Sequence, residues 1–217
     1  GGVVPSTAAY FVAASSWEFV TNSPGTTWIE GMAYTLDVQG IDNGVGGAGG
    51  NASVPVPGPA LTFKYDTTPP TLTLQKPGTY RNSDLTPVSI SGIAGDTAPG
   101  EIDKVEVRVL RNTGLAFYLS PALLTFSVDP GVTNPELTWI KATYDTDWTA
   151  WKLSSAIPWV SGESYDVMAR VKDRAGNYVV AYQTHTFKFD VTPPESGLSY
   201  PTNSSYVKSL ASLSGTM

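Results

Sequence analysis

Apolar and polar residues alternate with a period of two along much of this chain. Thr71-Leu72-Thr73-Leu74 alternates and stops at the turn pair Pro77-Gly78, and Val88-Ser89-Ile90-Ser91 alternates before Gly95-Asp96 and Pro99-Gly100. Val105, Val107 and Val109 share one face, with Glu106 and Arg108 on the other. The best strand is Tyr165 to Lys172, apolar at odd positions and mostly polar at even ones, the mark of a sheet with one face in a core. Leu137 to Tyr144, Trp148 to Leu153, Tyr178 to Tyr182 and Thr184 to Phe189 are expected as further strands. No segment longer than two turns spaces its apolar residues like a helix. Seven or so strands with turns between them predict an all-β, antiparallel sandwich.

The pattern also repeats. Phe63-Lys64-Tyr65-Asp66-Thr67-Thr68-Pro69-Pro70 returns as Phe187-Lys188-Phe189-Asp190-Val191-Thr192-Pro193-Pro194, an offset of 124. Trp17, Trp28, Tyr34 and Asp42 match Trp148, Trp159, Tyr165 and Asp173 at 131, and Ser89 to Gly92 matches Ser212 to Gly215 at 123. The difference of seven between the first two offsets is absorbed by a glycine-rich insertion at residues 44–58. Blocks in one order at nearly one spacing indicate tandem units. The expected boundaries are 1–67 for the C-terminal part of one module, 68–191 for a whole module and 192–217 for the opening of a third. Both ends then fall inside a module, and a longer native protein is expected.

Charged residues are only 15% of the chain, against roughly 25% in an ordinary soluble domain. β-branched and aromatic residues, with Gly and Pro, fill the space, which favours strands and turns. The net charge is −6, and no Lys or Arg precedes Phe63. Without a basic stripe, a nucleic-acid partner would lack its phosphate-neutralising term, and no apolar run approaches the roughly 20 residues that span a bilayer. Cysteine is absent, so stability must come from the core.

Three signatures resemble bacterial immunoglobulin-like repeat domains. Asp66 to Pro70, repeated at Asp190 to Pro194, looks like the family's inter-module start. Ser91-Gly92-Ile93-Ala94-Gly95-Asp96 is similar to one of its strands, and Tyr165 to Asn177 resembles its long strand and Ala-Gly-Asn turn. Together they cover nearly the whole chain. The first unit departs by replacing that turn with Asp42-Asn43-Gly44, and the whole module departs in its Leu- and Phe-rich stretch, Leu115 to Val132. The resemblance implies tandem immunoglobulin-like modules of an exported surface protein, extracellular or at the cell surface, acting as spacer, adhesive unit or assembly element. Paired prolines at each joint restrict the backbone and imply a stiff connection.

Candidate chemistry is sparse. The one histidine, His185, sits among alternating threonines and reads as a strand residue; with no Cys and a single His, neither a catalytic triad nor a zinc site is expected. The chain is read as a non-enzyme with no cofactor, calcium being the one candidate ligand. Its oxygen donors would come from Asp42, Asn43, Asp66, Asp173, Asn177 and Asp190, which lie at joints and turns; the alternative is that Asp and Asn serve those turns locally. Trp17, Trp28, Trp148 and Trp159 recur and suit packing, whereas Trp139 and Trp151 lack partners in the first unit and are expected to be exposed contacts. Tyr34 and Tyr165, each three residues after a glycine, read as tyrosine corners. Leu115, Phe117 and Phe126 belong either to an extra hairpin over the core or to an apolar patch for a neighbour.

The expected function is therefore structural: a stalk, spacer or self-assembling filament or layer element. Its partners would be neighbouring repeats or other copies of the chain, and incomplete modules at both ends would leave strand edges open to addition. The competing expectation is a glycan- or protein-binding module using end loops and exposed Trp residues.

Overall fold

A computed structural model describes residues 10–13, 16–18, 27–36, 61–77, 80–81, 90–112, 114–131, 134–153 and 155–217. Asp42, Asn43 and Val88 lie outside them. The fold is all-β, and nearly every strand pair is antiparallel.

Near the start, β1 (Tyr10–Ala13) pairs with β2 (Ser16–Glu18), and β3 (Ala33–Leu36) pairs with β4 (Leu61–Lys64). The central part packs two sheets face to face. One takes β5 (Thr71–Lys76), β7 (Ile90–Gly95), β13 (Trp151–Leu153) and β12 (Thr143–Tyr144), in that order. The other is built on β8 (Ile102–Arg111) and β14 (Ser164–Asp173), paired over nearly their full lengths. It is extended by β15 (Gln183–Phe189) and β6 (Tyr80–Arg81) on one side. On the other side, β9 (Phe117–Leu119) takes the end of β8 at Leu110 and Arg111, and β11 (Ile140–Lys141) takes Glu106 and Val107. The outermost strand there is β10 (Phe126–Val128). The β15–β6 pair is parallel. A last hairpin joins β16 (Gly197–Tyr200) to β17 (Ser214–Thr216).

The alternating side chains fill the space between the central sheets. Leu72, Leu74, Ile90 and Ala94 come from one sheet with Trp151 and Leu153; Val105, Val107, Val109, Tyr165, Val167, Ala169, Val171, Phe187 and Phe189 come from the other. Gly92 lets them close: a Cβ there would collide with the Thr73 carbonyl and the Trp151 ring. The stretch Leu115 to Val132 supplies the β9–β10 hairpin, which buries Leu119 in the same core.

Three expected strands change character. Tyr178 to Tyr182 forms no strand, only a single bridge from Tyr178 to Lys172. The segments beginning at Leu137 and Trp148 open with short 3-10 turns, Pro135–Thr138 and Trp148–Ala150. Asn134 and Asp147 cap these turns by accepting from the amides of Glu136 and Thr149. Local side-chain acceptors there outcompete a sheet ladder.

Offsets found in the sequence return as geometry. Tyr34 OH accepts the Ile29 amide at 2.8 Å, and Tyr165 OH accepts the Val160 amide at 2.8 Å. Trp28 meets Tyr34 edge-on at 4.7 Å and 82°, as Trp159 meets Tyr165 at 4.7 Å and 83°. Phe63 stacks on Tyr34 at 5.4 Å, and Phe187 on Tyr165 at 5.5 Å. Gly31 and Gly162 hold φ of 83° and 87°, a region that strains any side chain. The hairpins agree too: Leu74 pairs with Gly92 as Leu198 pairs with Gly215, and Lys76 with Ser91 as Tyr200 with Ser214, each after a register shift.

Tyr165→Phe removes the acceptor of the Val160 amide and is expected to cost about 1 kcal/mol. Gly92→Ala forces backbone apart and is expected to cost about 3 kcal/mol or more. Denaturant titration followed by tryptophan fluorescence measures both, and the reverse ranking would contradict the packing described.

Candidate functional site: an acidic joint and an arginine-aromatic face

The residues that leave β4 and enter β5 form the first joint, and acidic groups gather on it. The Glu30 carboxylate accepts from the Thr67 amide at 2.8 Å, from the Thr67 hydroxyl at 2.5 Å and from the Thr68 hydroxyl at 2.9 Å. Asp66 accepts from the Thr68 amide at 3.0 Å through Oδ1. From the central sandwich, the Asn177 amide group donates to the Asp66 carbonyl at 3.2 Å. Glu101 bridges Lys64 at 2.7 Å and Arg174 at 2.8 Å. These ion pairs are half exposed and contribute little individually.

Asp66, Asp96 and Asp173 converge there, each offering a carboxylate oxygen within 4.8 Å of the others. Asp173 is fully buried at the end of β14. It accepts from the amides of Gly176 and Asn177 and from the Asn177 side chain, which closes the turn that follows. Asp96 follows β7 and accepts the Thr97 amide through Oδ1, while its Oδ2 is buried without a hydrogen-bond partner. A Cβ at Gly100 would strike the Oδ2 atoms of both Asp96 and Asp66, so glycine is what lets these carboxylates meet.

Burial raises Asp96 above its ordinary value of 3.8, and the nearby charges of Asp66, Asp173 and Glu30 add to the rise. Asp66 is raised as well, first by burial and further by Glu30 and Asp173. Asp190, the repeat counterpart of Asp66, moves the other way: the Thr192 amide and Ser161 hydroxyl favour its charged form. Identical residues at repeated positions thus differ because Asp66 is the more buried and also meets other carboxylates, while hydrogen bonds to its charged form dominate at Asp190.

Of the residues marked for calcium, the fold brings Asp66, Asp173 and Asn177 together. Asp190 belongs to the second joint, bonded to Ser161 and Thr192. Asp96 escaped the ligand reading although it closes the Ser91–Asp96 motif, because no local pattern says that β7 ends beside residue 66. Oxygens this close suit a hard cation, whose ligands sit about 2.3–2.6 Å from it. The Oδ2 atoms of Asp66 and Asp96 both lie beside Gly100, while Asp173 already takes three hydrogen bonds.

The second cluster covers the outer face of the β8–β14 sheet. Arg170 bonds Glu106 at 2.8 Å and Glu136 at 2.5 Å, and its guanidinium lies 4.2 Å from the Trp139 ring centre. Arg108 lies over the same ring at 4.6 Å. Trp139 is buried at 8% exposure, contrary to the expected exposed contact, because two guanidiniums and the edge of Tyr182 enclose it. Trp151 is 1% exposed, also contrary to expectation: alternation along β13 points it with Leu153 into the core. Leu115 is exposed; Phe117 lies against Arg111, and Phe126 packs on Tyr165 at 5.3 Å. His185 takes its expected place in a strand, its Nδ1 3.0 Å from the Pro77 carbonyl. A cavity of about 440 Å³ opens beside Arg170, lined by Glu136, Tyr178, Val179, Val180 and Tyr182. It went unforeseen because its walls come from a loop that reads as a strand.

Asp96→Asn relieves like-charge repulsion. In chelator at neutral pH it should raise stability by roughly 0.5–1 kcal/mol, a Tm gain of about 2 °C. The native Asp66 and Asp96 have raised pKa values, so they bind protons before the unfolded chain does. The wild-type deficit is therefore full at neutral pH and fades as pH falls through the window just above 3.8. With millimolar calcium the order reverses if the joint binds the ion. A wild-type Tm that ignores calcium would exclude it.

Compared with protein-family models and with curated proteins, the sequence matches none.

Proposed function

We propose that this chain is a non-catalytic structural repeat region of an extracellular bacterial surface protein, built of tandem immunoglobulin-like modules that act as a stiff spacer. What supports the reading most is the recurrence of one corner. Tyrosine hydroxyl, tryptophan edge and stacked phenylalanine have matching distances at Tyr34 and Tyr165, 131 residues apart. A unit that repeats its architecture and connects through Asp-Thr-Thr-Pro-Pro at one place and Asp-Val-Thr-Pro-Pro at the next suits length and pitch better than chemistry at a single place. The joint supports stiffness: Glu30 fastens Thr67 and Thr68 from one flank, and Asn177 fastens Asp66 from the other.

A second reading, recognition of a glycan or protein, draws on the groove beside Arg170 and not on the buried Trp139 and Trp151. Tyr178 and Tyr182 expose 41% and 46% of their surface there, next to the Glu136 carboxylate.

Because the chain has no cysteine, nitroxide labels at Thr35→Cys and Thr184→Cys, diluted in unlabelled protein, report the joint directly. A spacer gives one narrow distance distribution that broadens in Glu30→Ala and again in Glu30→Ala with Asn177→Ala. A broad distribution insensitive to both changes would overturn the spacer reading. On a glycan array the spacer binds nothing; binding abolished by Tyr178→Ala and Tyr182→Ala together would favour the second reading.

A further inference from the structure

On the outer face of the β8–β14 pair, two arginines each have one residue directly across from them. Arg170 stands opposite Glu106, and Arg108 stands opposite Met168. Glu106 accepts from Arg170 Nε at 2.8 Å, and Glu136 accepts from its Nη1 at 2.5 Å. Arg108 has no such partner. It is 8% exposed and forms no ion pair among the described residues. The rings of Trp139 and Tyr118 lie over it at 4.6 and 5.1 Å, so its remaining contacts fall in the guanidinium plane. There Nη1 reaches the Pro135 carbonyl only at 3.4 Å, Nε is buried without a partner, and Nη2 meets the Met168 sulfur at 3.2 Å.

A guanidinium donates in several directions, and a charged donor left unfilled away from water is costly. A thioether is a weak acceptor. The cross-strand place that gives Arg170 a carboxylate therefore gives Arg108 only a sulfur. An oxygen on that sulfur changes the match, because a sulfoxide oxygen is strongly polarised and takes a charge-assisted hydrogen bond. Met168 is half-buried and alternates with the core residues Val167 and Ala169, so a small polar oxidant reaches it without crossing the core. Oxidation of a methionine ordinarily puts a polar group among apolar ones and disrupts their packing. Here it puts an acceptor beside a cation that lacks one.

We infer that Met168 is a modification site, oxidised by peroxides to the sulfoxide, and that Arg108 holds the product through the new oxygen. Nη2 engages one lone pair of the sulfur and leaves the other to react. That lone pair attacks a peroxide oxygen, and the S–O bond forms as the O–O bond breaks. The leaving hydroxide takes the proton of the transferred oxygen and departs as water. Sulfur is oxidised and the peroxide is reduced, with no further reactant. Rotation about the Cγ–Sδ bond, which turns easily in methionine, then carries the oxygen to Nη2. Oxidation at this position tightens the β8–β14 pair instead of loosening it, and the inference does not depend on the spacer reading.

Hydrogen peroxide applied to the folded 217-residue chain tests this, in a background of Met32→Leu and Met217→Leu that leaves Met168 as the one methionine of three able to react. Peptide mass mapping locates the added oxygen, and thermal unfolding reads its effect. Met168 gains the oxygen and Tm rises by about 2–4 °C; methionine sulfoxide reductases return both to their starting values. Met168→Gln, whose side-chain carbonyl stands in for the sulfoxide, shows the higher Tm without oxidant and no response to it. In Arg108→Leu, oxidation lowers Tm, because the new oxygen meets no donor. A Met168 that stays unmodified in the folded protein overturns the inference. So does a Tm that falls or stays constant on oxidation, or one that rises equally in Arg108→Leu. Should Arg108→Leu fail to fold, Met168→Gln decides alone: a Tm at or below that of the unoxidised background overturns the inference.

Discussion

One contact fixes how the chain turns into its longest strand. At Tyr165 the hydroxyl accepts the Val160 amide, five residues upstream, while the ring lies between Trp159 and Phe187. Burial raises the hydroxyl's pKa, so it stays neutral in the core. The polar end satisfies a backbone donor that the sheet leaves unpaired, and the apolar body anchors the strand to the core. Gly162 can take the positive φ that brings the amide back to the hydroxyl. Once the corner is set, alternation along β14 assigns Val167, Ala169 and Val171 to the core and Met168, Arg170 and Lys172 to the outer face. A shift of one residue would exchange the two sets.

The outer face shows how a sheet with few charges carries those it has. Arg170 spans Glu106 and Glu136 and stacks on Trp139, so its charge is both paired and covered by an aromatic ring. The acidic joint is the opposite arrangement. Asp66, Asp96 and Asp173 share a small space without a cation side chain among them, and two of them have raised pKa values. Around Arg170 each charge is paired with an opposite one, while the joint gathers like charges where β4 passes into β5.

How legible this was depends on the range of the interaction. Tyr34 and Tyr165 announced their role through a glycine three residues earlier and a tryptophan six residues earlier, all within one local stretch. Trp139 misled, because its burial comes from Arg108 and Arg170 on strands that are distant in sequence. Trp151 misled for a related reason: the absence of a tryptophan counterpart in the first unit says nothing about which way a strand residue faces.

The sequence by itself determined the all-β class, the alternating core faces, the offsets of 131, 124 and 123 and the aromatic corner, because each is a matter of spacing along the chain. Only the tertiary structure decided that Asp96 joins Asp66 and Asp173, that Trp139 lies between two guanidiniums and that Tyr178 to Tyr182 forms a groove wall and not a strand. Those outcomes depend on which strand edges and turns come together, and the pattern of a single strand holds no record of its neighbours in space.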